Sequence, residues 1–406
     1  MGKRRTSQRK VKRLLRFLIL FALVCIAICI ALIVKTVIDK NHNGKAEDGK
    51  TKEIESVVNE VEVPNDITIN LAVIGDIMCH NTQYMDAFVD GVYDFDYVFD
   101  DIREKLQVAD YTVGNLETTF AGAGRGYSSY PEFNTPEELG IAIKNAGIDL
   151  VSTANNHSLD SRYAGVESTI DFLNEYGIAH TGTYKSQEEQ DTPTIVDIQG
   201  LKVAFLSFTY GTNGIPVADG KEYCINLIDD DFIVDRLNLT KAQNPDVICV
   251  FMHWGEEYQT SPNAEQKHLA ELLFDNGVNV ILGSHPHVLQ RMEKVDLGTE
   301  LEPKEGFVIY SLGNFVSGQV KENTKDSVIL NLTITKKGTG AVTIDSATYT
   351  PIYTYRSGAA VNQFEVLDIK KALDAYDAGN GYISDNDYNV LSREYEKIVS
   401  TVGEEW

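Results

Sequence analysis

Five short apolar stretches of this chain each run straight into a loop whose side chains can bind metals or move protons, and that repetition limits the fold more than any other feature. Ile67, Ile69, Leu71 and Val73 alternate as one strand and lead into Gly75-Asp76 and then His80. Segment 108–113 leads into Gly114-Asn115-Leu116-Glu117, and 149–153 into Asn155-Asn156-His157. Segment 247–252 leads into His253-Trp254-Gly255, and 278–282 into Gly283-Ser284-His285-Pro286-His287. Between them lie helical patterns: Val166, Ile170 and Leu173 mark one face, closed by Gly177, and Leu269, Leu272 and Leu273 mark another, closed by Gly277. Strands alternating with helices predict a layered α/β fold. In open α/β sheets the loops beyond the strand C-termini meet at one crevice, so these five loops are expected to converge.

Five of the eight histidines sit in those loops. Imidazole, carboxylate and amide oxygen without paired thiolates suit manganese, iron, zinc or magnesium, rather than a cysteine-rich structural zinc site. Two such ions sharing a carboxylate would activate water and stabilise the entering and leaving oxygens of a phosphoryl displacement. His285 and His287, two apart on a bent loop, can serve adjacent ions. Each residue also has a plainer reading as a hydrogen-bonded structural group. His80 and Asn155 stand evenly between ligand and partner of a ligand, and Gly313-Asn314 fits a tight turn as well as a crevice wall. His180 and His268 are assigned to packing or helix surface.

The chain ends carry different information. Phe17 to Val34 is an unbroken apolar run of 18 residues, extended by Leu14 and Leu15 to roughly the ~20 a helical span needs. Eight Lys/Arg precede it, which places the N-terminus in the cytoplasm. A cleaved signal peptide is the alternative, but Val34-Lys35-Thr36-Val37 offers no small-x-small site. The expected organisation is a basic tail over 1–13, a transmembrane signal-anchor over 14–34, a polar tether over 35–66, a main domain over 67–355 and an acidic helical appendage over 356–406. The whole chain carries a formal −24, and residues 1–35 hold nine Lys/Arg and no acid, so the remainder carries −33. A body that acidic repels nucleic acid, which is not expected as a partner; the membrane is. Cys79, Cys224 and Cys249 make no disulfide framework, though one bridge stays open.

Taken in order, Gly75-Asp76 with His80, Gly114-Asn115-Leu116-Glu117, Asn155-Asn156-His157, His253-Trp254-Gly255, Gly283-Ser284-His285-Pro286-His287 and Ser311-Leu312-Gly313-Asn314-Phe315 resemble the CapA-type poly-γ-glutamate capsule biosynthesis family, within the calcineurin-like metallophosphoesterase superfamily. The resemblance covers about residues 67–320. It implies a layered α/β/β/α sandwich with two divalent ions, probed by Asp76 in the first metal motif, Asn156 as ligand and His157 as catalytic histidine, His253 in the lone-histidine motif, and His285 and His287 in the paired motif. This chain departs in two places. Asp76 is followed by His80 where the superfamily has Asp-x-His, and Gly114-Asn115 replaces Gly-Asp, which leaves Glu117, two residues on, as the candidate bridging carboxylate. The resemblance further implies a role outside the membrane in making or exporting poly-γ-glutamate or another surface polymer, beside a synthase or export complex. Action on a phosphoester precursor and a non-catalytic wall scaffold are the alternatives.

Overall fold

The computed structural model describes residues 65–298 and 305–406. The expected tail, the anchor and the tether as far as residue 64 lie outside the described residues; among those described, no helix is long and apolar enough to cross a membrane.

Two sheets occupy the centre. The larger runs in the order Phe364–Asp368, Val342–Arg356, Asp326–Lys336, Ile67–Ile77, Tyr111–Leu116, Leu150–Ser152, Ala179–Thr181, with Asn314–Val316 paired beside the end of Ile67–Ile77. Its last four ordered strands are parallel, while the hairpin formed by Asp326–Lys336 and Val342–Arg356 is antiparallel. The second sheet runs Leu289–Asp296, Glu305–Leu312, Val280–Ser284, Val247–His253, Leu201–Thr209, Thr194–Ile198. Its four inner strands are parallel and both edge strands antiparallel.

Strand alternation explains the layering. Ile69, Leu71 and Val73 face Val203, Phe205, Cys249, Phe251, Val280 and Leu282 in a core shared by the two sheets. Ala72 and Ile74, on the opposite face, pack against Leu106, Leu139, Ile143 and Phe172 of the helical layer outside the larger sheet. In the second sheet Leu206, Phe208, Val250 and Met252 turn outward onto Leu237, Leu269 and Leu273. The result is a mixed α/β sandwich with both sheets inside and helices on both outer faces.

Residues 356–406 are continuous with this body. Phe364–Asp368 extends the larger sheet before the helices Ile369–Asp377 and Asp385–Val402, and Ile369, Leu391, Ile398 and Val402 join the core between the sheets. The region expected to be a helical appendage carries two helices, begins with a strand and closes one side of the core. Cys79, Cys224 and Cys249 are buried and free.

Two glycines allow neighbouring strands to come close where the functional loops begin. A Cβ at Gly75 would lie 2.0 Å from the Gly313 carbonyl oxygen, and one at Gly283 would lie 2.0 Å from that of Tyr310. Only glycine fits against a backbone at that distance.

Candidate metal centre

Parallel pairing gathers the polar loops at one end of the sandwich. Asp76 is in register with Asn115 on one side and Asn314 on the other, and Asn115 is in register with Ser152, three residues before Asn155. His253 is in register with Ser284, next to His285. The larger sheet thus supplies Asp76, Glu117, Asn156 and His157, and the second sheet supplies His253, His285 and His287. All seven are buried.

One ligand atom each from Asp76, Glu117 and His253 lies within 4.8 Å of the others. His253 Nε2 is 3.0 Å from Asn156 Oδ1 and 3.7 Å from Glu117 Oε1. His287 Nδ1 is 3.5 Å from Asp76 Oδ2, and its Nε2 is 3.9 Å from Glu117 Oε1. The His285 ring stands 4.8 Å from that of His253 and 6.0 Å from that of His287. His80 is not drawn into this group. Its Nδ1 accepts a hydrogen bond from the Gly318 amide at 3.1 Å, its backbone begins the helix Asn81–Asp86, and its ring packs edge-on against Phe133.

The close approach of His253 to Glu117 is not an ion pair. Burial and the neighbouring imidazoles hold His253 well below the ordinary histidine range, and burial takes His285 down to about 3. Burial, reinforced by Asp76, raises Glu117 well above the ordinary carboxylate range. Full enclosure beside another acid favours the protonated carboxyl, and enclosure among imidazoles favours the neutral ring. The cluster is therefore a set of lone pairs turned toward common points.

Hydrogen bonds behind the cluster fix which atoms face inward. The Asn314 amide donates to Ser317 Oγ, Gln319 Oε1 and the Thr324 carbonyl, so its Oδ1 is left to accept from His287 Nδ1 at 3.0 Å, and His287 Nε2 is left as a lone pair. Ser284 Oγ holds His253 Nδ1 at 2.9 Å, which likewise leaves Nε2 inward. Asn156 donates to Asn213 Oδ1 at 3.2 Å and turns its own oxygen toward His253. Asn115 donates to Asp76 Oδ1 at 2.8 Å. His285 and His287 both adopt positive φ, 93° and 59°, a backbone strain of about 1–3 kcal/mol each that concentrates at functional sites.

These residues fit divalent cations. Both oxygens of Glu117, Oδ1 of Asn115 and Nδ1 of His285 are buried with no hydrogen-bond partner among the described residues. Such orphaned acceptors are rare in folded proteins unless an ion or water satisfies them. Donors held about 2.1 Å from a shared ion stand roughly 3 Å apart at right angles, the spacing of His253 Nε2 and Asn156 Oδ1.

His157 is held for a different task. Asp160 Oδ2 lies 2.7 Å from its Nδ1 and also accepts from the Phe133 amide at 2.6 Å, while the Phe133 ring meets the His157 ring edge-on at 4.7 Å. Burial raises the Asp160 carboxyl, and the bond from His157 opposes that rise. With Nδ1 committed to Asp160, Nε2 is the nitrogen free to exchange a proton. His157 and Asn156 line a cavity of about 320 Å³ beside the cluster.

Sequence reasoning missed Asp160, although a carboxylate three residues after a candidate catalytic histidine was a usable signal. It also missed Phe133, which carries none, and gave Ser284, quoted within its loop motif, no role of its own.

A family model described as bacterial capsule synthesis protein PGA_cap matches residues 70–319 of this chain. The chain belongs to that family. This PGA_cap protein is 29% identical over 283 residues to the capsule biosynthesis protein CapA of Bacillus anthracis, a match covering 68% of this chain and 66% of that one, just under two thirds of the relative's length. It is 27% identical over 304 residues to the PGA biosynthesis protein CapA of Bacillus subtilis (strain 168), covering 72% and 76% of the two chains. Among solved structures the PGA_cap chain is similar to the calcineurin-like phosphoesterase YfkN from Bacillus subtilis, with a TM-score of 0.41, 14% identity, and 82% of this chain and 98% of that one covered.

Proposed function

We propose that this protein is a divalent-metal-dependent hydrolase of the phosphoesterase type, anchored outside the cell membrane and serving the synthesis or export of poly-γ-glutamate or another surface polymer. The observation that carries the metal reading is Glu117: a fully enclosed carboxylate, both oxygens without a hydrogen-bond partner among the described residues, at the meeting point of Asp76, His253 and His287. The polymer role comes from the capsule biosynthesis proteins to which the chain is similar, and the membrane anchor from its apolar run 14–34.

Asp76, Glu117, Asn156, His253, His285 and His287 would hold the cations, and His80, bound to Gly318, would not. Such ions supply a water of lowered pKa and positive charge for the phosphoryl oxygens. His157, oriented by Asp160, would give a proton from Nε2 to the leaving oxygen and be reprotonated from solvent, while the attacking water loses its proton to solvent. Water oxygen joins phosphorus as the ester P–O bond breaks, and the alcohol departs with the proton from His157.

The test is hydrolysis of aryl phosphates by the purified full-length chain with manganese, compared with His157→Ala and His285→Ala. The proposal expects phosphate release that both substitutions abolish. Release unaffected by either substitution would sink it.

A further inference from the structure

We infer that the cavity beside His157 is a charge-selective subsite for the leaving group, admitting small alcohols that carry an ammonium or no charge and turning away those that carry a second anion. This rests on the phosphoesterase reading and adds a substrate class to it. One wall is Asn156 and His157, 2% and 3% exposed, with no hydrogen bond to His157 Nε2 among the described residues. The other walls include Glu132, Glu257, Asn213 and Ile215, and among the described residues no Lys or Arg lines the space.

The two carboxylates are not equivalent. Arg162 reaches Glu132 at 3.1 Å, with the same guanidinium anchored on the Asp160 carbonyl at 2.9 Å, so Glu132 already has a cationic partner. Glu257, at the exposed rim of the cavity, forms no ion pair among the described residues. Asn213 connects this space to the cluster: its Oδ1 accepts from Asn156, and its backbone holds a positive φ of 51°. A volume of about 320 Å³ is at the low end for ligand pockets, which suits a small alcohol.

The leaving group must lie on the His157 side, because His157 supplies the proton that the departing oxygen takes. Phosphorus gains the water oxygen, the ester bond breaks, and the alcohol departs through the cavity with its own charge unchanged. An ammonium there faces Glu257 favourably, whereas a carboxylate there faces it at a cost.

Three two-carbon esters of nearly equal size test this on the full-length chain with manganese: O-phosphoethanolamine, ethylene glycol phosphate and phosphoglycolate. The expected order of kcat/KM is ammonium, then neutral, then carboxylate, with about tenfold or more between the extremes. Glu257→Gln should bring that ratio toward one and Glu257→Lys should invert it, circular dichroism confirming that each variant folds. Equal kcat/KM for the three esters, or a ratio unchanged in both variants, overturns the inference and leaves the phosphoesterase reading standing. Hydrolysis of none of the three while an aryl phosphate is cleaved overturns the inference alone, and cleavage of neither overturns both.

Discussion

Replacing Glu117 by Gln should stabilise the metal-free protein while destroying its response to metal. In the structure both Glu117 oxygens are buried without partners among the described residues, and burial next to Asp76 raises the carboxyl well above its ordinary range. A buried acceptor left unsatisfied costs about 1–3 kcal/mol. Glutamine keeps the shape, removes the ionisable group and offers an N–H to Asp76, so the metal-free variant should gain about that amount, roughly 1–4 °C in Tm. The pH dependence has a definite sign. A raised carboxyl favours folding fully only below its unfolded value, and that contribution is lost as pH climbs through the raised folded value. The advantage of the variant should therefore widen upward from the ordinary glutamate range near pH ~4.3. Saturating manganese acts oppositely: at a thousandfold excess over Kd the wild type gains about 4 kcal/mol, while the variant, lacking the central carboxylate, gains much less. Calorimetry in chelator and in manganese reads both effects. A variant less stable than wild type in chelator, or one with the full metal-induced shift, refutes the reasoning.

His157→Ala should lower kcat by about 10²–10⁴-fold, and Asp160→Asn by about 10–100-fold with KM little changed, since Asp160 only orients the imidazole; steady-state kinetics on aryl phosphate checks both. Manganese binding to chelator-treated protein should release protons, because the raised Glu117 carboxyl must ionise to become a ligand, and affinity should rise with pH. Titration calorimetry in buffers of different ionisation enthalpy counts those protons, and zero release contradicts the assignment. Gly283→Ala places a Cβ 2.0 Å from the Tyr310 carbonyl oxygen and should destabilise by at least about 3 kcal/mol in denaturant unfolding. With residues 36–406 at −33, any affinity for polyglutamate should depend on divalent cations, and tight binding in excess chelator would show this wrong.

The parts of the molecule that were legible in the sequence are those where one physical rule acts alone. Alternation in Ile69, Leu71 and Val73 and the apolar run before His253 identified strands, and parallel pairing then required their polar ends to share one end of the sandwich. Glu117 was reachable because it lies two residues beyond Asn115, on the same face of an extended chain. His80 lies outside the ligand group because the chain turns after Asp76, where the register shifts, and begins a helix. Asn314 fitted a tight turn as well as a crevice wall; it is a strand residue in register with Asp76 that orients His287. That role depends on a contact across 27 residues, for which local sequence has no pattern. The strand Phe364–Asp368 escaped notice because it is short and precedes a strongly helical segment, and only its pairing with Val342–Arg356 makes it a strand.

Anomalous scattering from a manganese-soaked crystal bears most directly on the central claim, that these loops build a cation site. The account predicts a peak at coordination distance, roughly 2.0–2.3 Å, from Glu117 and His253 together. Full soaking with no peak near Glu117, or manganese bound only at surface carboxylates, would contradict it.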